Sequence, residues 1–247
     1  MKSIRKMIAI DASTEACSVA LRIDGATYLK HKISPRMHAE LILPMIDSLL
    51  EEHHLALGDL DAFAVSIGPG AFTGVRLSIS VVQGLAYALQ KPVIPLSTLE
   101  ILAYGAASQA FSKNAELEDV KVAVAMDARM DEVYWGCFHV SQDKVTPLQE
   151  AGVFAPEQVP FQGLTIDKSW LFAGTGWGQY SEKLQQQLNF STENLVEILL
   201  PQADWLTKIA ARRQELAVDA ANLQALYLRD KVADTIQERL KGRLESC

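Results

Sequence analysis

The stretch from residue 63 to residue 90, in which Arg76 is the one charged residue, constrains the fold of this chain most. It opens with a short apolar run, 63–67, that predicts a buried strand, and it ends with fourteen uncharged residues, 77–90, that predict a helix. Three glycines lie between the two: Gly68, Gly70 and Gly74. The order of strand, glycine loop and helix brings free backbone N–H groups to a helix N-terminus, where an anion can bind.

The glycine loop matches neither of two common nucleotide-binding motifs. A Walker loop ends in Gly-Lys-Ser or Gly-Lys-Thr, whereas Gly74 is followed by Val75. A dinucleotide fingerprint has glycine spacings of two and three, and this loop has two and four. Two interpretations stay open: the loop is a tight turn that packs a helix onto a sheet, or it binds a phosphate. The candidates for phosphate contact are Gly68, Gly70, Thr73, Gly74 and Arg76.

The helix that follows the loop has no charged side. One apolar face repeats at helical spacing: Val75, Ile79, Val82, Ala86 and Leu89. The second face is also small or apolar: Ser78, Val81, Leu85 and Ala88. A helix that is apolar all round is buried on both sides. One face would cover the sheet, and the other requires a cover that a partner would provide.

Composition limits the function classes that remain. The 247 residues suffice for one large or two ordinary domains, and 49% hydrophobic with 21% charged residues indicates a globular chain. A net charge of −7 argues against tight RNA binding by this chain alone. The three cysteines are far apart and show no zinc or disulfide spacing. With no signal-peptide pattern and no uninterrupted apolar run of membrane-spanning length, we expect a cytoplasmic protein without membrane contact.

The first 110 residues predict one α/β unit. The predicted elements, in order, are strands at 7–14, 16–23 and 27–33, a helix at 37–54, the strand at 63–67, the helix at 77–90, a strand at 91–95 and a helix from the N-cap Ser97 to residue 110. The turn Asp24-Gly25 predicts a hairpin between the second and third strands.

The same pattern starts again after a polar link at 112–119. Residues 122–129 repeat the shape of residues 7–13, and Asp127 takes the position of Asp11. A predicted strand at 133–140 follows, as the second strand followed the first. The repetition predicts a duplicated α/β unit.

A second glycine loop, containing Gly174 and Gly176, ends a predicted strand at 170–173 and precedes a helical stretch. A later helix is predicted at 203–216, and the polar tail with Arg239, Lys241 and Arg243 resembles a solvated helix end. We therefore expect an N-terminal lobe of residues 1–110 and a C-terminal lobe of residues 111–247, whose last helix packs back on the first lobe.

Two carboxylates at strand ends are candidate site residues. Asp11, with Ser13 beside it, would bind a metal or a phosphate across an interlobe cleft, or it would form a turn. Asp127 and Arg129 form a second candidate site, with a local ion pair as the alternative. His38 has no second histidine at helical spacing, so we expect no metal site in this chain.

Four segments resemble the TsaB (YeaZ-type) proteins of bacteria. They are Ile-Asp-Ala-Ser-Thr at 10–14, Gly-Pro-Gly-Ala-Phe-Thr-Gly-Val-Arg at 68–76, Asp-Ala-Arg with Glu-Val-Tyr within 127–134, and Tyr-Leu-Arg at 227–229. Their order and spacing cover nearly the whole chain. One departure is Ala71, where many relatives have a serine whose hydroxyl would contact a phosphate.

The resemblance implies an α/β fold of two lobes, similar to actin, Hsp70 and sugar kinases, which is a duplicated ribonuclease-H-like fold. It also implies a role in forming N6-threonylcarbamoyladenosine at position 37 of tRNAs that read codons beginning with A. In that family this subunit is a non-catalytic scaffold and activator. The transferase is the paralogue TsaD, and a third protein, TsaE, supplies ATPase action.

The resemblance places the chemistry outside this chain. We expect no cofactor here, ATP and a metal at the partner subunits, tRNA contact only through the complex, and a homodimer when the paralogue is absent. The alternative is an ATP-hydrolysing enzyme with Asp11, Thr73 and Asp127 around the phosphates, and a metallopeptidase is disfavoured. Trp177 lies in the second glycine loop, where a nucleotide-binding relative would need small residues near the adenine, so we expect weak or absent nucleotide binding.

The predicted partner interface lies on the helices at 37–54 and 77–90, which carry more apolar surface than one sheet can cover. Its residues are Met37, His38, Leu41, Met45, Leu49, Ser78, Val81, Leu85 and Ala88. Small residues on the second helix would let a partner helix approach closely. Because one surface serves both associations, we expect the homodimer and the heterodimer to exclude each other.

Overall fold

The computed structural model describes residues 4–229, except 143, 162, 168, 189, 191, 198 and 199. The predicted charged tail with Arg239, Lys241 and Arg243 lies outside the described residues.

Two five-stranded sheets form the framework. The first has the order β3-β2-β1-β4-β5, with β1 (Lys6–Asp11), β2 (Ala16–Ile23), β3 (Ala26–Ile33), β4 (Ala62–Ser66) and β5 (Val93–Leu96). The second has the path β10-β6-β7-β8, and β9 also pairs with β7. Its strands are β6 (Asp119–Arg129), β7 (Glu132–Ser141), β8 (Val145–Pro147), β9 (Gly152–Phe154) and β10 (Trp170–Ala173).

Helices cover both sheets. They are α1 (His38–Glu52), α2 (Phe72–Leu89), α3 (Thr98–Lys113), α4 (Gly176–Gln179), α5 (Ser181–Leu188) and α6 (Ala203–Arg212). The predicted capping box of α3 is confirmed, because the Ser97 hydroxyl accepts from the N–H of Leu99 and Glu100 accepts from the N–H of Ser97. The helix predicted at 203–216 ends earlier, at Arg212, and continues as a short 3₁₀ turn, Gln214–Leu216.

The two sheets repeat one topology, which confirms the predicted duplication. In the first sheet β1 pairs antiparallel with β2 and parallel with β4. In the second, β6 pairs antiparallel with β7 and parallel with β10. Each parallel strand, β4 or β10, then runs into a glycine loop and a helix. The fold is the expected two-lobed, duplicated α/β architecture.

Because successive side chains of a strand point to opposite faces, the two faces of the first sheet belong to two different hydrophobic cores. Ile8 and Ile10 face α1 and α2, whereas Met7 and Ala9 face the opposite side, where α6 packs. The second sheet likewise turns Val122 and Val124 toward α3. Its other face supports α4 and α5 through aromatic residues.

The helices α3 and α6 lie between the sheets and join them into one core. A single cluster of buried residues contains strand residues of both sheets together with Leu102 of α3 and Leu206 of α6. Trp205 of α6 packs so closely on Gly105 of α3 that a Cβ there would lie 2.5 Å from the indole ring. Helix α3 also runs across positions 110 and 111, so the predicted lobe boundary falls within a helix.

Candidate functional site

A cleft of about 670 Å³ opens between the carboxyl ends of β1 and β6. Its first-lobe wall contains Ser13, Thr14 and Gly70, and its second-lobe wall contains Asp127 and Thr175. Three arginines also line it, namely Arg36, Arg129 and Arg229. Opposed strand ends of two repeated units are where ligands bind in open α/β folds. The cleft is therefore the place to test the predicted site residues.

The three glycines of the first loop are required by close backbone packing. A Cβ on Gly70 would lie 2.2 Å from the carbonyl oxygen of Ser13, and a Cβ on Gly74 would lie 1.9 Å from that of Ala12. The N–H of Ala71 donates to the Ser13 carbonyl over 2.6 Å. Gly68 has a φ of +106°, and its Cβ would lie 2.9 Å from the carbonyl oxygen of Leu226. The structure therefore supports the tight-turn interpretation of this loop.

The second glycine loop repeats the arrangement. A Cβ on Gly174, which has a φ of +103°, would lie 2.4 Å from the carbonyl oxygen of Ala125, and one on Gly176 would lie 3.0 Å from it. Both loops therefore hold a helix against the end of the first strand of their sheet, β1 or β6. Thr175 between the two glycines lines the cleft, and its hydroxyl accepts from the N–H of Asp127 over 3.1 Å.

The predicted role of Trp177 is wrong. Its indole is only 3% exposed, and its N–H donates to the carbonyl of Ala123 over 3.3 Å. The ring packs in the aromatic core of the second lobe, 4.7 Å from Phe172 and 4.9 Å from Phe190 by ring centroids. Trp177 does not line the cleft, so it cannot crowd an adenine there.

Asp11 is completely buried and does not line the cleft. Its carboxylate accepts from the backbone N–H of Ser13 at 3.2 Å and from the Ser13 hydroxyl at 3.1 Å. Burial raises the pKa of this carboxyl, although the hydrogen bonds and the nearby His38 oppose that rise. The geometry is that of a turn-forming aspartate, which is the alternative to a metal or phosphate site.

Asp127 forms the local ion pair that was the alternative interpretation of the second site. Its carboxylate lies 2.9 Å from the Arg129 guanidinium and also accepts from the Arg129 N–H at 2.8 Å. The Tyr180 hydroxyl donates to it over 3.2 Å. Burial, followed by the charge of Asp127, raises the pKa of Tyr180. The site is thus a closed network at the edge of the cleft.

The ATP-hydrolysis arrangement is not assembled in this chain. Of its three residues, Asp127 lines the cleft, Asp11 lies buried beneath it, and Thr73 is exposed outside it. Arg76 also lies outside, where its guanidinium stacks over the Phe72 ring at 3.7 Å. Asp11, Thr73 and Asp127 therefore do not converge on one point of the cleft, as the ATP-hydrolysing alternative requires.

His38 lies at the start of α1 and lines the cleft with 9% of its surface exposed. Its Nε2 atom has no hydrogen-bond partner. Within the described part of the chain, no group of three His, Cys, Asp or Glu residues is arranged to hold a metal.

Burial and the charge of Asp11 raise the pKa of the Cys17 thiol to about 11, so this cysteine is protonated at neutral pH.

Arg229 is a cleft residue that no sequence pattern indicates as a site residue. It lines the cleft, 17% of its side chain is exposed, and it forms an ion pair with Glu132 on β7. The signal was present in the Tyr-Leu-Arg segment at 227–229. A lone arginine far along the chain gives no indication from spacing that it returns to the cleft.

The helix pair α1 and α2 forms the outer layer on the first sheet. Four of the five residues predicted for the inner face of α2, namely Val75, Ile79, Val82 and Ala86, are buried. The fifth, Leu89, is partly buried. The outer side leaves apolar side chains wholly or partly exposed: Met37, Leu41, Met45, Leu77, Val81, Leu85 and Ala88. In the described part of the chain, α2 is the helix long and apolar enough to span a membrane by length and composition, and a third of it is buried in the fold.

Three residues of the predicted interface do not lie on this outer surface. Leu49 is 1% exposed and Ser78 is fully buried, because both belong to the faces that cover the sheet. The Ser78 hydroxyl donates to the carbonyl of Val75 within its own helix. His38 faces the cleft instead. The outer face is therefore narrower than the sequence predicted, and Ser80 and Gly84 supply its small exposed positions.

Comparisons with known proteins agree with the fold and the motifs. The family model of TsaD, a tRNA N6-adenosine threonylcarbamoyltransferase, matches residues 31–238. The chain is 36% identical over 233 residues to the tRNA threonylcarbamoyladenosine biosynthesis protein TsaB of Escherichia coli K12, covering 92% of this chain and 96% of that protein. It is 35% identical over 249 residues to TsaB of Haemophilus influenzae, covering 96% and 98% of the two chains.

A solved structure extends the match to three dimensions. The crystal structure of an uncharacterized protein from Pseudomonas aeruginosa, described as similar to peptidase YeaZ, superposes with a TM-score of 0.80 at 41% identity. The match covers 92% of this chain and all of that one. The resemblance inferred from the motifs is thereby confirmed, and the chain belongs to the TsaB (YeaZ-type) family.

Proposed function

We propose that this chain is a non-catalytic scaffold and activator of a TsaD-type transferase. The reaction is the formation of N6-threonylcarbamoyladenosine at position 37 of tRNAs that read codons beginning with A. The names of the curated relatives, which are tRNA threonylcarbamoyladenosine biosynthesis proteins, support the pathway. The cleft supports the division of labour, because Asp11, Thr73 and Asp127 do not converge on one point within it.

The observation that carries the proposal is the outer face of α1 and α2, which the described residues of the chain leave uncovered. Met37 is 39% exposed, and Val81 and Leu85 are left half-buried at the surface of α2. Buried apolar area contributes roughly 25 cal/mol per Å², so covering such a face favours association. Stable protein interfaces bury about 1,200–2,000 Å² in total, a size within reach of two helix pairs.

The partner that fits this face is a protein with the same helix pair. Because the transferase family model matches residues 31–238, which include all of α1 and α2, a TsaD protein would carry the equivalents of both helices. Two such pairs would form a helical bundle about a pseudo-twofold axis. A second copy of this chain would occupy the same face when the transferase is absent. A TsaE-type ATPase and tRNA would then join through the complex, in the cytoplasm.

The test reconstitutes tRNA modification from purified TsaD-type, TsaE-type and this protein, with and without Val81→Glu. The charge lies on the outer face, so we expect association with the transferase and tRNA modification to fall together, with unchanged circular dichroism. Ser112→Glu, which places the same charge on the exposed side of α3, is the control and should leave both intact. Unchanged affinity of the Val81→Glu variant for the transferase would place the interface elsewhere.

A further inference from the structure

Residues 226–229, which we call the strap, cross from the first lobe to the second along one side of the cleft. The strap follows the last described 3₁₀ turn, Ala220–Asn222, whose end is held on α2 by the Gln83 amide donating to the carbonyls of Ala220 and Leu223. Tyr227 and Arg229 belong to the strap and to the Tyr-Leu-Arg segment shared with the TsaB family, and neither is a residue of the outer face of α1 and α2. Their contacts require a separate explanation.

The first end of the strap is fixed to the glycine loop and the first turn of α2. The N–H of Leu226 donates to the Ile67 carbonyl over 2.8 Å, and Gly68 leaves room for the Leu226 carbonyl. The Arg76 Nε donates to the Tyr227 hydroxyl over 2.9 Å. The same guanidinium stacks over Phe72, so that one arginine joins the strap to the helix.

The second end is fixed to the turn between β6 and β7. Arg229 donates to the Glu132 carboxylate in a charge-assisted hydrogen bond. The same guanidinium reaches the carbonyl oxygen of Arg129 at 3.5 Å and the sulfur of Met130 at 3.7 Å. One arginine therefore contacts three of the residues that form or flank this turn.

The turn itself has a backbone that its sequence does not favour. Arg129, Met130 and Asp131 have φ values of +62°, +57° and +56°. A two-residue hairpin loop with positive φ at both central residues is normally built from Asn-Gly or Gly-Gly. Non-glycine residues in this region persist only when the surrounding structure determines their conformation. Asp127 on one side and Arg229 on the other supply that determination.

We propose that the strap is a clamp that makes the first turn of α2 and the β6–β7 turn one mechanical unit across the mouth of the cleft. The shared core of α3 and α6 joins the lobes, and the strap adds a second connection at the cleft mouth. A displacement of the first turn of α2 is then transmitted to Arg129 and Met130. Both are exposed to solvent: 84% of the Arg129 side chain and 70% of Met130 are accessible. This inference concerns the isolated chain and does not depend on the proposed partner.

The test measures amide hydrogen exchange in the full chain after breaking each end of the clamp. Arg229→Gln removes the second-lobe end, and Tyr227→Phe removes the hydroxyl at the first-lobe end. We expect each variant to accelerate exchange at both ends, in residues 128–132 and in residues 70–76. An acceleration of about tenfold is the size expected for the loss of one charge-assisted hydrogen bond.

Two further variants keep the test decisive. Glu132→Gln removes the same ion pair from the side of β7. It must reproduce the pattern of accelerated exchange seen in Arg229→Gln, and this agreement distinguishes loss of the contact from a local effect of either substitution. Arg5→Gln removes an exposed ion pair with Asp24, distant in the fold, and should leave both segments unchanged. Acceleration confined to the end that carries each substitution, or absent from both ends, would overturn the clamp.

Discussion

At the scale of single residues, the glycine loops show that close backbone packing alone can require a glycine-rich segment. Gly74 and Gly84 lie in the same helix, yet a Cβ on Gly74 would lie 1.9 Å from the Ala12 carbonyl oxygen, whereas Gly84 has open space around it. Substitutions at these two positions of one helix therefore distinguish the effect of close packing from the effect of helix propensity.

We predict opposite effects of alanine at these two glycines. Gly74→Ala should destabilise the fold by about 1–3 kcal/mol or more, because the backbone of Ala12 has to shift. Gly84→Ala should stabilise it by up to about 1 kcal/mol, since alanine favours the helix. Urea unfolding of the two variants measures the difference. Equal effects would mean that the contact between the loop and Ala12 does not constrain the fold.

Asp11 gives a prediction about pH. Below its ordinary pKa of 3.8 the carboxyl is protonated in both the folded and the unfolded protein. As the pH rises above that value, the unfolded chain ionises first because burial raises the folded pKa. The free energy of unfolding therefore falls with rising pH until the pH passes the folded pKa, and it stays at that lower level above it. Asp11→Asn removes the titration and keeps an oxygen that can accept from Ser13.

The stability of Asp11→Asn relative to the wild type should therefore increase from pH 3 toward neutral pH and then level off. Urea unfolding of both proteins across this range measures the difference, and other titrating groups cancel in it. A difference that decreases with rising pH would mean that the hydrogen bonds of Asp11 outweigh its burial.

At the scale of elements, α2 separates an inner face that stabilises the fold from an outer face available to a partner. Val82 is fully buried, whereas its neighbour Val81 is half-buried at the surface. Val82→Ala should cost about 2 kcal/mol of stability, from two lost methyl groups and the space they leave. Val81→Ala should cost little stability but weaken association with the transferase. Unfolding and binding measured on both variants check this, and the reverse assignment would contradict it.

The elements were largely predictable from the sequence because hydrophobic period and glycine position determine them locally. The strands, the Asp24-Gly25 hairpin and the capping box of α3 depend on short-range patterns. The uncharged run predicts a start of α2 at residue 77, whereas the helix begins at Phe72. The difference arises because Arg76 interrupts the run although it lies exposed on the first turn.

The side-chain directions at the site were less predictable, because they depend on tertiary contacts. The spacing that put Trp177 in a glycine loop could not indicate that its ring turns into an aromatic core built from β7, β10 and residue 190. Ser78 was placed on the wrong face of α2 because a small polar residue gives no clear signal of burial. Arg229 was missed as a cleft residue because its contact with Glu132 joins positions 97 residues apart.

At the scale of the whole molecule, the two lobes share a core, and this predicts cooperative unfolding. Leu206 of α6 is fully buried in the cluster that contains residues of both sheets. We expect one transition, coincident by far-UV circular dichroism and by fluorescence of the second-lobe tryptophans. Leu206→Ala should shift the whole transition, with a cost of about 2–5 kcal/mol. Two separate transitions, or a shift in one probe alone, would show that the lobes unfold independently.

The separation of Asp11, Thr73 and Asp127 in the structure leads to a prediction about nucleotides. We expect weak or absent binding of Mg-ATP to the isolated chain, because Asp11 and Thr73 do not reach the cleft. Titration calorimetry measures this directly. Micromolar binding accompanied by turnover would favour the ATP-hydrolysing alternative over the scaffold.

The central claim is that a TsaD-type partner covers the outer face of α1 and α2, and hydroxyl-radical footprinting of the complex tests it most directly. Met37 and Met45 lie on that face, and Met130, which is 70% exposed, lies in the turn between β6 and β7 of the second lobe and serves as an internal control. On addition of the partner, we predict that oxidation of Met37 and Met45 falls while oxidation of Met130 does not change. Unchanged oxidation of Met37 and Met45 in a formed complex would contradict the account.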